Sequence, residues 1–331
     1  MLTDIVRKLA NLPLMYNYLE EVDFDELHQS FKRLQGVVHK TPVLTSTRLD
    51  QILGCQLFCK AEHLQKTGAF KYRGASNAIL QLDDNMTSVA THSSGNHGAA
   101  IAAAAKLRGI TAHIVMPETS VPAKIDAVRA YGGQVHFCEP TQADREAKLG
   151  ELIQHGHHAI PPYDDWRIIY GQSTAAAELL QQVDHLDILL APIGGGGLIS
   201  GTCLVAAQHG NVQVIGVEPA GADDVWRSLQ AGERITDVKP DTIADGLRAT
   251  VGERNFAVIQ HYLSELVLTN DQQIMQALKL VWQSMKQLIE PSCATVIAAI
   301  QAQPDLFEGK RVGAILSGGN VDIDKLVDAL T

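Results

Sequence analysis

From residue 88 onward the chain alternates between short apolar runs and longer stretches whose apolar residues return with helical spacing. Residues 89–92, 111–116 and 135–138 predict strands, and 99–107, 122–131 and 144–154 predict the helices that alternate with them. Gly109 and the pair Gly132–Gly133 close the first two helices. Alternation of this kind builds a parallel sheet. After Pro161–Pro162 a second series predicts helix 168–182, strand 188–192, helix 198–208, strand 212–217 and helix 223–229. Residues 231–252 read as a glycine- and charge-rich loop. Strand 266–269, helices 272–288 and 292–301, strand 312–316 and a helix from 321 complete the series. Upstream, 23–35 predicts a helix with Asp23 as N-cap. Pro42 then enforces extension, 56–59 is a short strand, and a helix over 72–82 starts at Lys71. Residues 1–22 suit an extra amphipathic helix or a loosely held arm. The expectation is an α/β chain of open, parallel-sheet-rich domains. A small domain, 88–165, is inserted into a large one made of 1–87 and 166–331.

Composition narrows the class. A length of 331 residues exceeds one ordinary core and suits two domains. A net charge of −10, with scattered Lys and Arg, offers no field for a phosphate backbone, so nucleic acid is not the expected partner. The five cysteines (Cys55, Cys59, Cys138, Cys203, Cys293) are odd in number and sit mostly in apolar runs. They read as free thiols in a reducing compartment. No secretory signal and no membrane-length apolar run is visible, so a soluble cytoplasmic protein is expected.

Four stretches carry candidate chemistry. In KTGAFKYRG (66–74), Lys71 stands in an apolar, glycine-flanked turn. Desolvation there would lower its pKa and free a neutral amine for a Schiff base or for proton abstraction. The stretch alone better suits a lysine whose stem packs and whose head stays wet. In APIGGGGLISG, Gly194–Gly197 can aim backbone N–H groups at one anion ahead of a helix N-terminus; a phosphate fits, and the alternative is a flexible turn. The pattern matches neither a Walker loop nor GxGxxG, which speaks against a nucleotide-binding oxidoreductase. In THSSGNHGAA, Ser93, Ser94, Gly95, Asn96, His97 and Gly98 make a carboxylate socket, or a helix cap with more polar residues than one cap needs. In ILSGGNVD, Ser317 follows a strand and suits a cap or a ring nitrogen. A desolvated lysine, a phosphate cup and a carboxylate socket together suggest pyridoxal 5′-phosphate and a small amino-acid substrate.

With KTGAFKYRG, SSGNHG, GGGG, EPAGADD (218–224), TIADGL (242–247) and LSGGNVD (316–322) in order, the chain resembles the fold-type II pyridoxal-phosphate enzymes, the tryptophan synthase β-like fold. Within them it is most similar to the serine racemase and serine/threonine dehydratase family, over about residues 27–327. The resemblance implies that Lys71 bonds the cofactor aldehyde, Phe70 flanks its ring and Asn96 meets its 3′-oxygen. By the same resemblance Gly194, Gly195, Gly196, Gly197 and Leu198 hold the phosphate, and Ser317 faces the pyridine nitrogen. Ser93, Ser94, Asn96 and His97 belong to the substrate-carboxylate loop, and Arg145 matches a basic residue brought over the substrate. Ser94 matches the acid/base of racemase-type members on the face opposite the lysine, where many bacterial threonine dehydratases read SAGNH. Glu218, Ala222 and Asp224 match a site for Mg²⁺, Mn²⁺ or Ca²⁺; on spacing alone they suit an acidic turn capping a helix at Asp223. Family members are commonly homodimers. The implied activities are β-elimination from, and racemisation of, small L-β-hydroxy amino acids. A threo-3-hydroxyaspartate dehydratase and a β-replacement enzyme of the cysteine-synthase kind are the alternatives. Ala69, Ala99, Ala249 and Ser292–Cys293 depart from the family pattern, and they bear on substrate preference and any nucleotide effector site.

Overall fold

A computed structural model describes residues 16–93, 95–120 and 122–323. Most of the expected N-terminal arm, and the helix expected from 321 beyond Ile323, lie outside the described residues. Ten described strands form two sheets: β1 (Val43–Leu44), β2 (Gln56–Lys60), β3 (Ser88–His92), β4 (Thr111–Pro117), β5 (Gln134–Cys138), β6 (His158–Ala159), β7 (Ile188–Pro192), β8 (Gln213–Pro219), β9 (Glu265–Thr269) and β10 (Arg311–Ile315). One sheet has the order β1-β2-β10-β7-β8-β9 and the other β5-β4-β3-β6. All pairs are parallel except β1 with β2.

The unbroken apolar run of β7 has a simple cause: both faces of this sheet are covered. Ile188 and Leu190 join one core with Ile274 and Leu278 of helix Asp271–Met285 and Val296 of helix Pro291–Ala302. Leu189 and Ala191, on the opposite face, join Ile169 and Leu179 of helix Trp166–Gln182 and Leu198 of helix Gly197–His209. No helix among the described residues is long and apolar enough to cross a membrane.

Three departures from expectation have physical reasons. Helix Thr47–Leu53 carries a Ser46 cap and a left-handed Gly54 (φ 70°), a signature that went unread in STRLDQILG. Helix Glu253–Tyr262 follows the expected loop, with a short 3-10 turn, Asp245–Leu247, inside that loop. The cap of Glu253–Tyr262 comes from far away: the Asp164 carboxylate accepts from the N–H groups of Glu253 (3.1 Å) and Arg254 (3.0 Å). The helix expected over 272–288 stops at Met285, because Lys286 adopts φ 59° and releases the chain into the extended approach to Glu290. In the six-stranded sheet, β7, β8 and β10 lead at their carboxyl ends into Gly194, the 218–224 segment and Ser317. In the other sheet, β3 leads into Ser93. Parallel sheets bind ligands at such ends.

Candidate active site

Helix Lys71–Leu80 begins where the chain is stitched to the end of β10. Phe70 N–H donates to the Ser317 carbonyl (3.0 Å), and Ala69 bridges Gly318. Thr67, a non-glycine residue at φ 66°, and Gly68 at φ 73° make the preceding turn. A Cβ on Gly68 would come within 2.3 Å of Asn320 Oδ1, so the close approach demands glycine. The helix is fixed from beneath by Arg73, which is fully buried and paired with Glu62 (2.7 Å) and Glu178 (2.9 Å).

The Lys71 amine donates to the Pro162 carbonyl at 2.8 Å and lies 5.2 Å from the Phe70 ring centre. Burial pulls its pKa down to about 8, and the nearby Glu290 carboxylate opposes that pull. The next residue, Tyr163, lays its ring on the glycine turn: a Cβ on Gly195 would sit 2.2 Å from that ring. One dipeptide therefore connects the reactive amine to the phosphate cup expected from sequence. Gly196 adopts φ 97°, and a Cβ there would meet Asn255 Cβ at 2.6 Å. Asn255 Nδ2 and the Gly252 N–H both donate to the Gly195 carbonyl, at 2.9 and 3.1 Å. The Asn255 Oδ1 atom is buried without a partner. The Gly195 carbonyl is thus tied backward, while the first N–H groups of helix Gly197–His209, Leu198 among them, have no intrahelical acceptor. The cradle fits a phosphate.

Asn96 opens helix Asn96–Arg108. Its Nδ2 donates to both Glu290 oxygens (3.0 and 3.1 Å), and its Oδ1 accepts from Asn320 (2.9 Å). Burial pushes the Glu290 carboxyl up to about 7, with Asp245 adding to the rise and Asn96 opposing it. His97 is buried, and among the described residues neither ring nitrogen makes a hydrogen bond of ordinary geometry. Burial, then the Lys71 charge, hold it neutral. Ser93 Oγ accepts from the Gly95 N–H at 3.2 Å. Ser94 lies outside the described residues. Arg145, on helix Gln142–Gln154, donates to the Thr141 carbonyl at 3.3 Å; burial, and after it the Arg145 charge, lowers the pKa of His92. No contact among the described residues joins Arg145 to Lys71, Asn96 or Ser317.

Glu218, Asp224 and Ala222 are all buried, the two acids at 0% and 2% exposure. Their oxygens accept only backbone N–H groups among the described contacts: those of Val225 (3.0 Å) and Trp226 (2.9 Å) on Glu218, and that of Val251 (2.8 Å) on Asp224. Burial and the Asp224 charge drive Glu218 well up, and burial drives Asp224 to about 6. Asp223 makes no side-chain cap and pairs with Arg227 instead (2.8 Å). No set of three or more His, Cys, Asp or Glu side chains among the described residues is placed to hold a metal. All five cysteines are free, and four are buried.

Sequence reasoning missed Pro162, Tyr163, Glu290 and Asn255 as parts of the site. Pro161–Pro162 was read as a domain exit, and nothing local marks Tyr163 or Asn255. Glu290 did carry a signal, a lone acid between Ile289 and the Pro291 that opens a helix.

A parallel α/β sheet with a partly desolvated lysine next to a glycine phosphate cradle defines a fold-type II pyridoxal-phosphate enzyme. The chain belongs to the family described as "Pyridoxal-phosphate dependent enzyme", which matches residues 34–318. It is 45% identical over 313 residues to the serine racemase of Dictyostelium discoideum, covering 92% of this chain and 97% of that protein. It is 44% identical over 307 residues to a beta-hydroxyaspartate dehydratase of Paracoccus denitrificans, covering 92% and 98%. The solved structure of maize serine racemase superposes with a TM-score of 0.89 at 40% identity, covering 93% of this chain and 97% of that one.

Proposed function

We propose that the chain acts on small L-β-hydroxy amino acids, eliminating water and ammonia to leave a 2-oxo acid and inverting Cα to give the D-amino acid. When bound, pyridoxal phosphate ties the substrate nitrogen and withdraws electrons from Cα. Gly194–Gly197 and Leu198 hold its phosphate, Phe70 flanks its ring, Asn96 meets the ring oxygen and Ser317 the ring nitrogen. Lys71 removes the Cα proton; with its pKa near 8, a substantial fraction is already neutral at physiological pH. Ser93, Asn96 and His97 bind the substrate carboxylate, and neutral His97 offers no competing charge. Ser94 returns a proton to Cα from the opposite face. Arg145 comes over the substrate. In elimination the β-hydroxyl leaves as water, and the released enamine takes water back to give oxo acid and ammonia.

The observation that carries this reading is the Pro162–Tyr163 dipeptide, which meets the Lys71 amine at one residue and the Gly195 turn at the next. Glu218, Asp224 and the Ala222 carbonyl would hold Mg²⁺, Mn²⁺ or Ca²⁺ and neutralise two buried carboxylates. Residues 1–87 with 166–331 would form one domain around 88–165, a division that the two separate sheets support. The free cysteines support a reducing, cytoplasmic setting. The exposed side chains of Ile52, Leu64 and Trp282 offer apolar surface for a homodimer. Hydroxyaspartate dehydration is the second reading, favoured by the Paracoccus relative.

The test is an oxo-acid assay over L-serine, L-threonine and L-threo-3-hydroxyaspartate, with chiral analysis of the remaining substrate. Lys71→Ala should lose both products, and Ser94→Ala should lose inversion while keeping elimination. A fully loaded protein that turns over none of the three would sink the proposal.

A further inference from the structure

One charged pair near the cleft has no part in the chemistry above. Lys124, on helix Pro122–Ala130 after β4, pairs with Asp245, the first residue of the 3-10 turn Asp245–Leu247. The pair thus runs from the four-stranded sheet's layer to the glycine cradle. The Gly246 N–H donates to Ser292 Oγ at 2.9 Å, and Leu247 Cα lies 2.9 Å from the position of a Cβ on Gly194. On the other side, a Cβ on Gly95 would lie 3.9 Å from the Lys124 ammonium, so the cation hangs over the loop proposed to take the substrate's α-carboxylate. Glu290, one hydrogen bond from Asn96, senses both charges. The Lys124 and Asp245 side chains are 21% and 42% exposed, so an incoming anion can reach and replace the counter-ion.

We infer that Lys124 is a specificity-determining residue that binds the side-chain carboxylate of an amino-dicarboxylate substrate, with Asp245 as the counter-ion it exchanges. In a four-carbon substrate of this kind the two carboxylates sit on the adjacent carbons Cα and Cβ, so a cation above the α-carboxylate loop is suitably placed for the second. With a neutral side chain, Asp245 stays on Lys124 and the pair merely closes the cleft. This inference rests on the substrate loop assigned under the proposed function.

The test uses the pyridoxal-phosphate-loaded enzyme and two unreactive probes, L-aspartate and L-alanine, whose binding is followed by the change in cofactor absorbance. Lys124→Met should weaken L-aspartate roughly tenfold or more, the scale of one lost charge-assisted hydrogen bond, and L-alanine less than about threefold. Asp245→Asn, which frees the cation and removes a negative neighbour, should tighten L-aspartate and leave L-alanine within the same margin. Equal loss of both probes in Lys124→Met would reduce the pair to a structural clasp and overturn the inference. So would weaker L-aspartate binding in Asp245→Asn, or a wild type that binds L-alanine but not L-aspartate. If neither probe perturbs the loaded wild type, the substrate loop itself is wrongly assigned, and the proposed function falls with it.

Discussion

Two buried polar clusters meet in helix Lys71–Leu80, and they are opposite in kind. Arg73 directs its donors at Glu62 and Glu178, and Lys60 donates to Glu178, the Thr41 carbonyl and Gln182. Two residues before Arg73, the Lys71 amine has one carbonyl and a distant ring. The carboxylates tell the same story. Burial alone would lift Glu62, yet the Arg73 guanidinium and the Thr41 hydroxyl hold it below its ordinary value. Glu290, equally enclosed, faces an amide in place of a guanidinium and rises to about 7. Burial is common to both clusters; compensation belongs to one. Where compensation is complete the groups anchor a helix, and where it is withheld their protons become movable near neutral pH.

The largest expected effect separates the two clusters by stability. Arg73→Met leaves Glu62 buried without its paired cation and Glu178 with Lys60 alone, and should cost about 3–5 kcal/mol in denaturant unfolding. Lys71→Ala removes no compensated charge and should change stability by less than about 1 kcal/mol while losing turnover altogether. Comparable destabilisation by the two substitutions would erase the distinction drawn here.

The same distinction explains what could be read in advance. Strand–helix alternation and the glycine turns were legible because period and turn chemistry are local: Gly109, Gly194–Gly197 and the Val89 strand all speak through their neighbours in sequence. Lys71 stood out only in part: its glycine-flanked turn between Phe70 and Tyr72 is local, but that stretch alone favours a lysine with a wet head, and the burial of the amine comes from the fold. Tyr163, Asn255 and the Asp164 cap were not, because each matters through a contact with a segment far along the chain. Arg73, within KTGAFKYRG, carries no local signal of its role, since its partners Glu62 and Glu178 are brought to it only by the fold.

A smaller effect probes the coupling within the uncompensated cluster. Capture of the cofactor aldehyde needs the neutral amine, so uptake of pyridoxal phosphate by the apo protein should accelerate as pH rises through about 8. Glu290→Gln removes the anion that favours the ammonium form of Lys71, so the midpoint of that acceleration should move to lower pH. Stopped-flow absorbance of cofactor uptake measures it directly. A midpoint that stays in place, or rises, would mean that Glu290 does not act on the amine.

The smallest effect asks whether missing compensation can exist away from the cofactor, and the four-stranded sheet supplies the case. His113 Nδ1 lies 2.9 Å from His136 Nε2, its ring stacks on His157 at 3.9 Å, and His157 meets Ser88 Oγ at 2.7 Å. Burial, then the His157 and His136 rings, lower His113 from an ordinary 6.5 to about 4. Burial, then the Lys148 charge, lowers His136 as well. The sign follows from linkage: the unfolded chain binds this proton more readily than the folded one. Stability is therefore complete above about pH 6.5, declines as pH falls toward about 4, and flattens below it. In thermal unfolding, His113→Gln should show a smaller loss of Tm between about pH 7 and about pH 5 than the parent, with turnover at neutral pH preserved. A loss of Tm as steep as the parent's would clear His113 of this role. Intact activity in a variant that flattens the slope would show that an uncompensated cluster becomes a reactive site only where a cradle such as Gly194–Gly197 brings it a cofactor.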